Sequence, residues 1–190
     1  TLTTMPGLNS VQSLLLVNAV VVFLVLQAPG GAQASVLVKD QTNPGCIAHS
    51  NASTFDISKL FAWPVMVNGT GADGKSYTFI WSCKGDIPCD YMDNGDANTV
   101  SICQVDKQLG HHFPVGGKPA DSMWFANYNW GENDKEYSIM YQVVGDIRIS
   151  RVKFVVDEKV ATPKIEMLGE APYTEYSFVV TGKQVGQPEY

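Results

Sequence analysis

Four polar side chains of complementary chemistry are spread along this sequence. Gln104 follows a cysteine, Arg148 stands at the head of a β-like run, and Glu170 and Tyr176 occur together in "EAPYTEYSF". A carboxylate only accepts hydrogen bonds and a guanidinium only donates them, whereas an amide and a phenol do both. Vicinal hydroxyl groups also donate and accept. These four residues are therefore our candidates for a site that binds a polyhydroxylated ligand such as a sugar.

The three histidines form no recognisable catalytic pattern. His49, His111 and His112 occur in no nucleophile-elbow, zincin or triad context, and no glycine-rich phosphate loop follows a predicted strand. Adjacent residues on a strand point to opposite faces, so His111 and His112 are poorly placed to share a metal ion. We interpret them as a solvated loop pair and predict that the protein is not an enzyme.

Metal binding has two further candidates, and both are weak. The segment "DYMDNGDAN", residues 90–98, carries Asp90, Asp93 and Asp96 but lacks the spacing and the closing glutamate of an EF-hand. The cysteines contain no C-x-x-C pair of the kind that zinc sites use. We therefore predict an ordinary acidic turn, no metal site and no cofactor.

The elements that must position the candidate residues are strands. Runs such as "YTFIW", "YSIMYQVV", "RISRVKFVV" and "YSFVV" are rich in aromatic and β-branched residues, and clusters of Gly, Asn and Asp separate several of them. The segment "STFDISKLF" fits either a helical turn or the approach to a strand. The sequence predicts an all-β fold, a sandwich or flattened barrel of two antiparallel sheets.

The cysteines predict a disulfide framework. Cys46, Cys83, Cys89 and Cys103 are even in number, as in proteins of oxidising compartments, and allow three connectivities. In the arrangement that we favour, Cys46–Cys83 ties an N-terminal segment to the end of the "YTFIW" strand. Cys89–Cys103 then closes a loop of ~15 residues, worth ~3 kcal/mol by chain entropy.

The N-terminal region resembles a secretory signal peptide. An apolar run from Leu14 to Leu26 is shorter than the ~20 residues that span a bilayer, and Ala32-Gln33-Ala34 after it resembles a signal-peptidase site. A buried or membrane-associated helix is the alternative. We predict a cleaved signal peptide at 1–34, a linker at 35–45, the β domain at 46–182 and a flexible tail at 183–190, with the mature protein secreted or in the secretory lumen.

Charge and sequons narrow the partners further. The chain has 13 Lys and Arg against 19 Asp and Glu and no basic run, which argues against nucleic acid. Asn51 and Asn68 begin N-glycosylation sequons, which become meaningful in a secreted chain. We expect no membrane anchor after signal cleavage and leave open whether the protein forms a homo-oligomer.

The order of these features resembles the mannose 6-phosphate receptor homology (MRH) domains of lysosomal sorting receptors and quality-control lectins. A Cys before "FDISKL", then "YTFIWSC", "ICQ", "YSIMYQVVGDIRIS", "VKFVVDE" and "EAPYTEYSF" carry the resemblance over about residues 46–181. It implies that Gln104, Arg148, Glu170 and Tyr176 hold a mannose ring, with Arg151 and Glu166 as second choices for the cation and the carboxylate. The family's C-terminal cysteines have no counterpart near Val143, Val156, Thr174 and Gly186.

The sequence therefore predicts a secreted, glycosylated lectin that binds mannose-containing glycans without chemistry. No motif marks a dedicated phosphate pocket. Trp124 and Trp130 fit either stacking on a sugar or packing within the barrel. The main alternative is an extracellular structural or interaction protein of a matrix, coat or mucus that keeps the fold without binding sugar, and a secreted hydrolase is a third candidate.

Overall fold

The computed structural model describes residues 35–50, 54–89, 99–126, 137–171, 174–183 and 185. Several predictions lie outside these residues: the signal peptide at 1–34, the sequon at Asn51, the acidic segment 90–98 and the role of Trp130. In the described part of the chain there is no helix with the length and hydrophobicity needed to span a bilayer.

The described residues form strands and one short 3-10 helix, Pro119–Asp121. In chain order the strands are β1 Ser35–Lys39, β2 Ile47–His49, β3 Thr54–Asp56, β4 Val65–Thr70, β5 Ser76–Trp81, β6 Ile87–Pro88, β7 Thr99–Val100, β8 Ile102–Asp106, β9 His111–Gly116, β10 Met123–Ala126, β11 Tyr137–Gln142, β12 Ile149–Val156, β13 Lys164–Glu170 and β14 Glu175–Gly182. The predicted all-β class is confirmed. "STFDISKLF" contributes β3 followed by a turn rather than a helix.

Two main sheets build the domain. The larger has eight strands in the order β13-β14-β12-β11-β10-β1-β2-β3, and the smaller has the order β4-β5-β8-β9. Strands β6 and β7 form a separate two-stranded sheet. Neighbours are antiparallel except β12 and β14, which run parallel from Ile149↔Glu175 to Val156↔Gly182. The predicted antiparallel sheets thus include one parallel pair, because the connection through β13 returns the chain in the direction of β12.

The two sheets approach each other at both edges of the smaller sheet. On one side β4 packs against β13, where a Cβ added at Gly69 would lie 2.1 Å from Met167 Sδ. On the other side Ser150 of β12 donates its hydroxyl hydrogen bond to the carbonyl of Val115 in β9 at 2.7 Å. The result is a flattened barrel.

The core lies between the sheets and is dominated by aromatic rings. Alternation along β12 and β14 buries every second side chain, as period-2 patterning requires. Trp124 is fully buried, stacks on Phe154 with 6.0 Å between ring centroids, and donates its indole N–H to the carbonyl of Pro44 at 2.9 Å. Of the two roles left open for Trp124, the structure therefore places it in the core.

Both disulfides of the favoured arrangement are present. The first bridge, Cys46–Cys83, links the start of β2 to the end of β5, and the second bridge, Cys89–Cys103, links the β6 region to β8. No free cysteine remains. The first bridge lies in the main core cluster and the second in a smaller one with Ile87 and Val100.

The chain ends of the domain differ from the prediction. Residues 35–45 are predicted as a linker, whereas the structure places β1 there, hydrogen-bonded to β10 and β2 on its two sides. In this strand Leu37 is buried and its neighbours Val36 and Val38 are exposed. Because all three residues are apolar, the sequence shows no alternation of polar and apolar residues that would predict a strand here. Val185, in the predicted flexible tail, is also buried in the core.

Candidate functional site

One pocket brings the four candidate residues together. A cavity of about 200 Å³ between the two sheets is lined by Asp73, Tyr77, Gln104, Phe113, Arg148, Glu170 and Tyr176. The smaller sheet contributes from β5, β8 and β9, and the larger from β13, β14 and the residue before β12. The four candidate residues, which are separated by up to 72 positions along the sequence, thus face one space.

Gln104 lies at the floor of this pocket. Its β8 position is flanked by Phe79 of β5 and by Phe113 of β9. Only 6% of the residue is exposed. The backbone register sets the direction of a side chain on a strand. The position of Gln104 on β8 therefore directs its amide, which has both a donor and an acceptor, toward the pocket.

Arg148 is held from two sides before β12 begins. Its guanidinium Nη1 donates to the Pro114 carbonyl of β9 at 3.2 Å and lies 3.3 Å from Asp146 Oδ2. The same aspartate accepts the backbone N–H of Arg148 at 3.1 Å. The guanidinium is a planar group of N–H donors, and these contacts orient it at the pocket that it lines.

Glu170 reaches the pocket because of a β-bulge. Along β13 the side chains of Lys164, Glu166 and Leu168 face solvent, and strict alternation would send residue 170 to the same face. The register shifts between Met167 and Gly169, and Gly169 has a φ of 137°. The extra residue reverses the alternation. Glu170 is therefore half-buried and lines the pocket.

Two backbone hydrogen bonds then fix the Glu170 carboxylate. One oxygen accepts the N–H of Ala72 at 2.9 Å, and the other accepts the N–H of Thr174 at 3.0 Å. Ala72 belongs to the β4–β5 turn and Thr174 precedes β14. These two hydrogen bonds hold the Glu170 carboxylate between the β4–β5 turn and the start of β14.

Tyr176 stands directly opposite Glu170 in the antiparallel β13–β14 pair. Its ring packs on Phe79 with centroids 6.0 Å apart, and only 5% of the residue is exposed. Burial, followed by the negative charge of Glu170, raises the pKa of the Tyr176 phenol. The ring belongs to the core while the residue lines the pocket, and the protonated hydroxyl both donates and accepts.

Asp73 and Tyr77 also line the pocket, and neither was predicted. The Tyr77 hydroxyl donates to Asp73 Oδ2 at 2.7 Å, and Asp73 Oδ1 accepts the N–H of Lys75 at 3.0 Å. The hydrogen bond from Tyr77 lowers the pKa of Asp73, and the same bond together with burial raises the pKa of Tyr77 to about 12. The turn "NGTGADGKS" pointed only to turn chemistry. The inward alternation of Tyr77, Phe79 and Trp81 could have placed Tyr77 in the interior.

The second-choice residues lie elsewhere. Arg151 is 3.6 Å from Glu175 in an ion pair, and Glu166 is exposed on the outer face of β13. Neither lines the pocket. Arg151 is three positions after Arg148, and residues an odd number of positions apart on a strand point to opposite faces of the sheet.

The histidines lie away from the pocket lining. His49 contacts Asp40 Oδ2 at 3.3 Å and the Thr54 hydroxyl at 3.1 Å. His111 and His112 lie on β9 rather than in a loop. Among the residues that the structure describes, no group of three His, Cys, Asp or Glu side chains is arranged to hold a metal ion.

Asn68, the sequon residue within the described chain, lies on the exposed face of β4. Its amide oxygen accepts a hydrogen bond from the Thr78 hydroxyl at 2.9 Å. The side-chain nitrogen, the atom that glycosylation modifies, belongs to the same exposed residue.

The pocket thus offers hydrogen-bonding groups of every class. Arg148 donates, Glu170 and Asp73 accept, and Gln104, Tyr77 and Tyr176 do both. Phe113 adds an apolar surface. No protein-family model matches this chain, and comparison with curated proteins finds no significant match.

Proposed function

We propose that this protein is a secreted, non-enzymatic lectin whose pocket binds a mannose-type sugar. The observation that carries the proposal is the convergence of Gln104, Arg148, Glu170 and Tyr176 on one cavity. These residues come from three separate parts of the sequence, since Glu170 and Tyr176 belong to one stretch, and their donors and acceptors are complementary to vicinal hydroxyl groups. The two disulfides, which are typical of oxidising compartments, support secretion.

The size of the cavity favours a single sugar ring. At about 200 Å³ it is smaller than the ~300–1,000 Å³ of sites for drug-sized ligands. In the proposed complex, Arg148 and Gln104 bind the hydroxyl at the second position of the ring. Glu170 and Tyr176 bind the hydroxyls at the third and fourth positions.

Binding without catalysis is favoured by the state of the two carboxylates. A glycosidase uses a carboxylic acid of raised pKa to protonate the leaving group. In this pocket the pKa of Asp73 is lowered by its hydrogen bond from Tyr77. Both oxygens of Glu170 accept backbone hydrogen bonds. Both carboxylates are therefore already engaged as hydrogen-bond acceptors within the protein.

A single site of this kind binds weakly. Each hydrogen bond contributes a net ~0.5–1.5 kcal/mol, so four of them correspond to a micromolar to millimolar dissociation constant. We therefore expect useful affinity only for clustered or multivalent glycans.

A glycan array with the purified secreted domain tests the proposal. The wild type is expected to bind mannose-terminated glycans, and Arg148→Ala to lose at least about tenfold in affinity because the ring loses its donor. Arg151→Ala is the matched control, since it removes an arginine of β12 whose partner is Glu175 outside the pocket. A folded wild type that ignores every mannose glycan, or an equal loss in both variants, would contradict the proposal.

A structural or interaction protein is the second candidate, and one surface favours it. Val144 and Ile147, in the turn between β11 and β12, are 75% and 74% exposed. Exposed aliphatic pairs of this kind occur at contact surfaces. Silence on the glycan array combined with self-association in solution, measured by analytical ultracentrifugation, would support this candidate instead of the lectin.

A further inference from the structure

The pocket carries more negative than positive charge. Among its seven lining residues Asp73 and Glu170 are acidic and Arg148 is basic. The hydrogen bond to Asp73 and burial raise the pKa of Tyr77, with a smaller contribution from the charge of Asp106. Burial and the charge of Glu170 raise the pKa of Tyr176, with a smaller contribution from Asp146. A ligand in this space therefore meets a net negative potential.

The positive charge of Arg148 is already compensated. Asp146 lies 3.3 Å from its guanidinium in a partly buried ion pair. Lys75 lies 3.6 Å from Asp73 but is 60% exposed, and an exposed pair of this kind is weak and screened by salt. Arg148 and Lys75 therefore reduce the negative charge at the pocket without cancelling it, because the lining and Asp146 together still carry more acidic than basic groups.

The Asp73 carboxylate is rigidly placed on the pocket wall. Its two oxygens accept separate hydrogen bonds, from the Lys75 N–H at 3.0 Å and from the Tyr77 hydroxyl at 2.7 Å. The turn itself is closed by hydrogen bonds from Gly71 to Lys75 and from Gly74 to Gly71. Glu170 holds the same turn through Ala72. Moving this carboxylate aside for an anionic ligand would break both of its hydrogen bonds.

We propose that Asp73 is a specificity-determining residue that restricts the pocket to uncharged hexoses and excludes sugars carrying a phosphate, sulfate or carboxylate. The inference rests on the proposed lectin function and names the ligand class of that same site. Like charges confined near one another disfavour binding, and specificity of this kind arises from repulsion of the wrong ligand as much as from attraction of the right one.

The test compares two probes, a neutral mannose-terminated glycan and the same glycan with a phosphomonoester on its terminal mannose. The measured quantity is the ratio of their affinities by surface plasmon resonance. We expect the wild type to prefer the neutral probe, and Asp73→Asn to shift the ratio toward the phosphorylated probe by about three- to tenfold. That is the effect of removing one charge ~6–8 Å from a phosphate in a mostly aqueous dielectric.

Asp157→Asn is the matched control. Asp157 also accepts the N–H two residues ahead, from Lys159 at 2.9 Å, but it follows β12 at the end away from Arg148, roughly 25 Å along the strand. It should leave the affinity ratio unchanged. A second measurement on the wild type alone avoids any dependence on the fold of the variant: raising the ionic strength from about 0.02 M to about 0.5 M should reduce the preference for the neutral probe.

The outcomes separate this inference from the function on which it rests. A wild type that binds the phosphorylated probe at least as well as the neutral one overturns the role of Asp73 and leaves the lectin proposal intact. An unchanged ratio in Asp73→Asn, or a preference independent of salt, does the same. A folded wild type that binds neither probe refutes both proposals.

Discussion

Glu170→Gln tests whether one carboxylate both stabilises the fold and binds the ligand. Glutamine has nearly the same shape, but only one of its two terminal atoms can accept a hydrogen bond. The native side chain accepts from Ala72 N–H and Thr174 N–H with separate oxygens. In the variant the NH₂ group of the glutamine therefore lies against one of the two backbone N–H groups, and two donors cannot form a hydrogen bond with each other.

The cost of this change follows from the environment of the two hydrogen bonds. The bond to Thr174 is part-buried, and its charged acceptor contributes about 1–1.5 kcal/mol; the bond to Ala72 is exposed and contributes about 0.5–1 kcal/mol. Because the glutamine keeps one acceptor, we expect the free energy of unfolding to fall by about 1–2 kcal/mol. Urea denaturation followed by tryptophan fluorescence measures this difference.

Glu166→Gln is the control for the loss of one negative charge on β13. Glu166 is exposed on the outer face of the strand, so its replacement should change the free energy of unfolding by less than about 0.5 kcal/mol and leave mannose binding unaffected. Glu170→Gln should weaken binding at least about tenfold. Equal stabilities for wild type and Glu170→Gln, or equal losses in the two variants, would refute the assigned role of this carboxylate.

Three further predictions concern the bulge, the bridges and the pocket tyrosine. Gly169→Ala should lower the free energy of unfolding, measured in urea, by about 1–2 kcal/mol and weaken mannose binding. A φ of 137° disfavours any side chain, even though no atom lies within 4 Å of the new Cβ. A variant with unchanged stability and binding would show that the bulge does not need glycine. Replacing both cysteines of the first bridge by serine should lower the free energy of unfolding by about 4 kcal/mol, and replacing both cysteines of the second bridge should lower it by about 3 kcal/mol. The reason is that the bridged positions are 37 and 14 residues apart, and a longer closed loop restricts the unfolded chain more. The reverse order in denaturant titrations would contradict the loop-entropy argument. Hydrogen bonding to Asp73 and burial raise the pKa of Tyr77 to about 12, so the stability contributed by its protonated form is complete below about pH 10 and is lost as the pH rises through 12. The pKa of Tyr176 is raised as well, so alkaline absorbance titration should show one fewer late-ionising tyrosine in Tyr77→Phe than in the wild type.

The sequence by itself determined the fold class and the chemistry available to the site. Alternating aromatic and β-branched residues are local signals, so the all-β class and most strands followed from them. The types of Gln104, Arg148, Glu170 and Tyr176 already supplied the donors and acceptors on which the proposed sugar site rests. The four cysteines predicted two bridges but left three pairings open, and proximity in the fold selected one of them.

Only the tertiary structure decided which side chains share the pocket. Period-2 alternation places Glu170 on the outer face with Glu166, and the bulge at Gly169 reverses this through a register shift that depends on pairing with β14. The parallel β12–β14 pair likewise depends on how the chain returns after β13. Asp73 enters the site because Glu170 holds its turn from across the barrel. Such contacts join residues far apart along the chain, and local patterns carry no information about long-range register or about which loops meet.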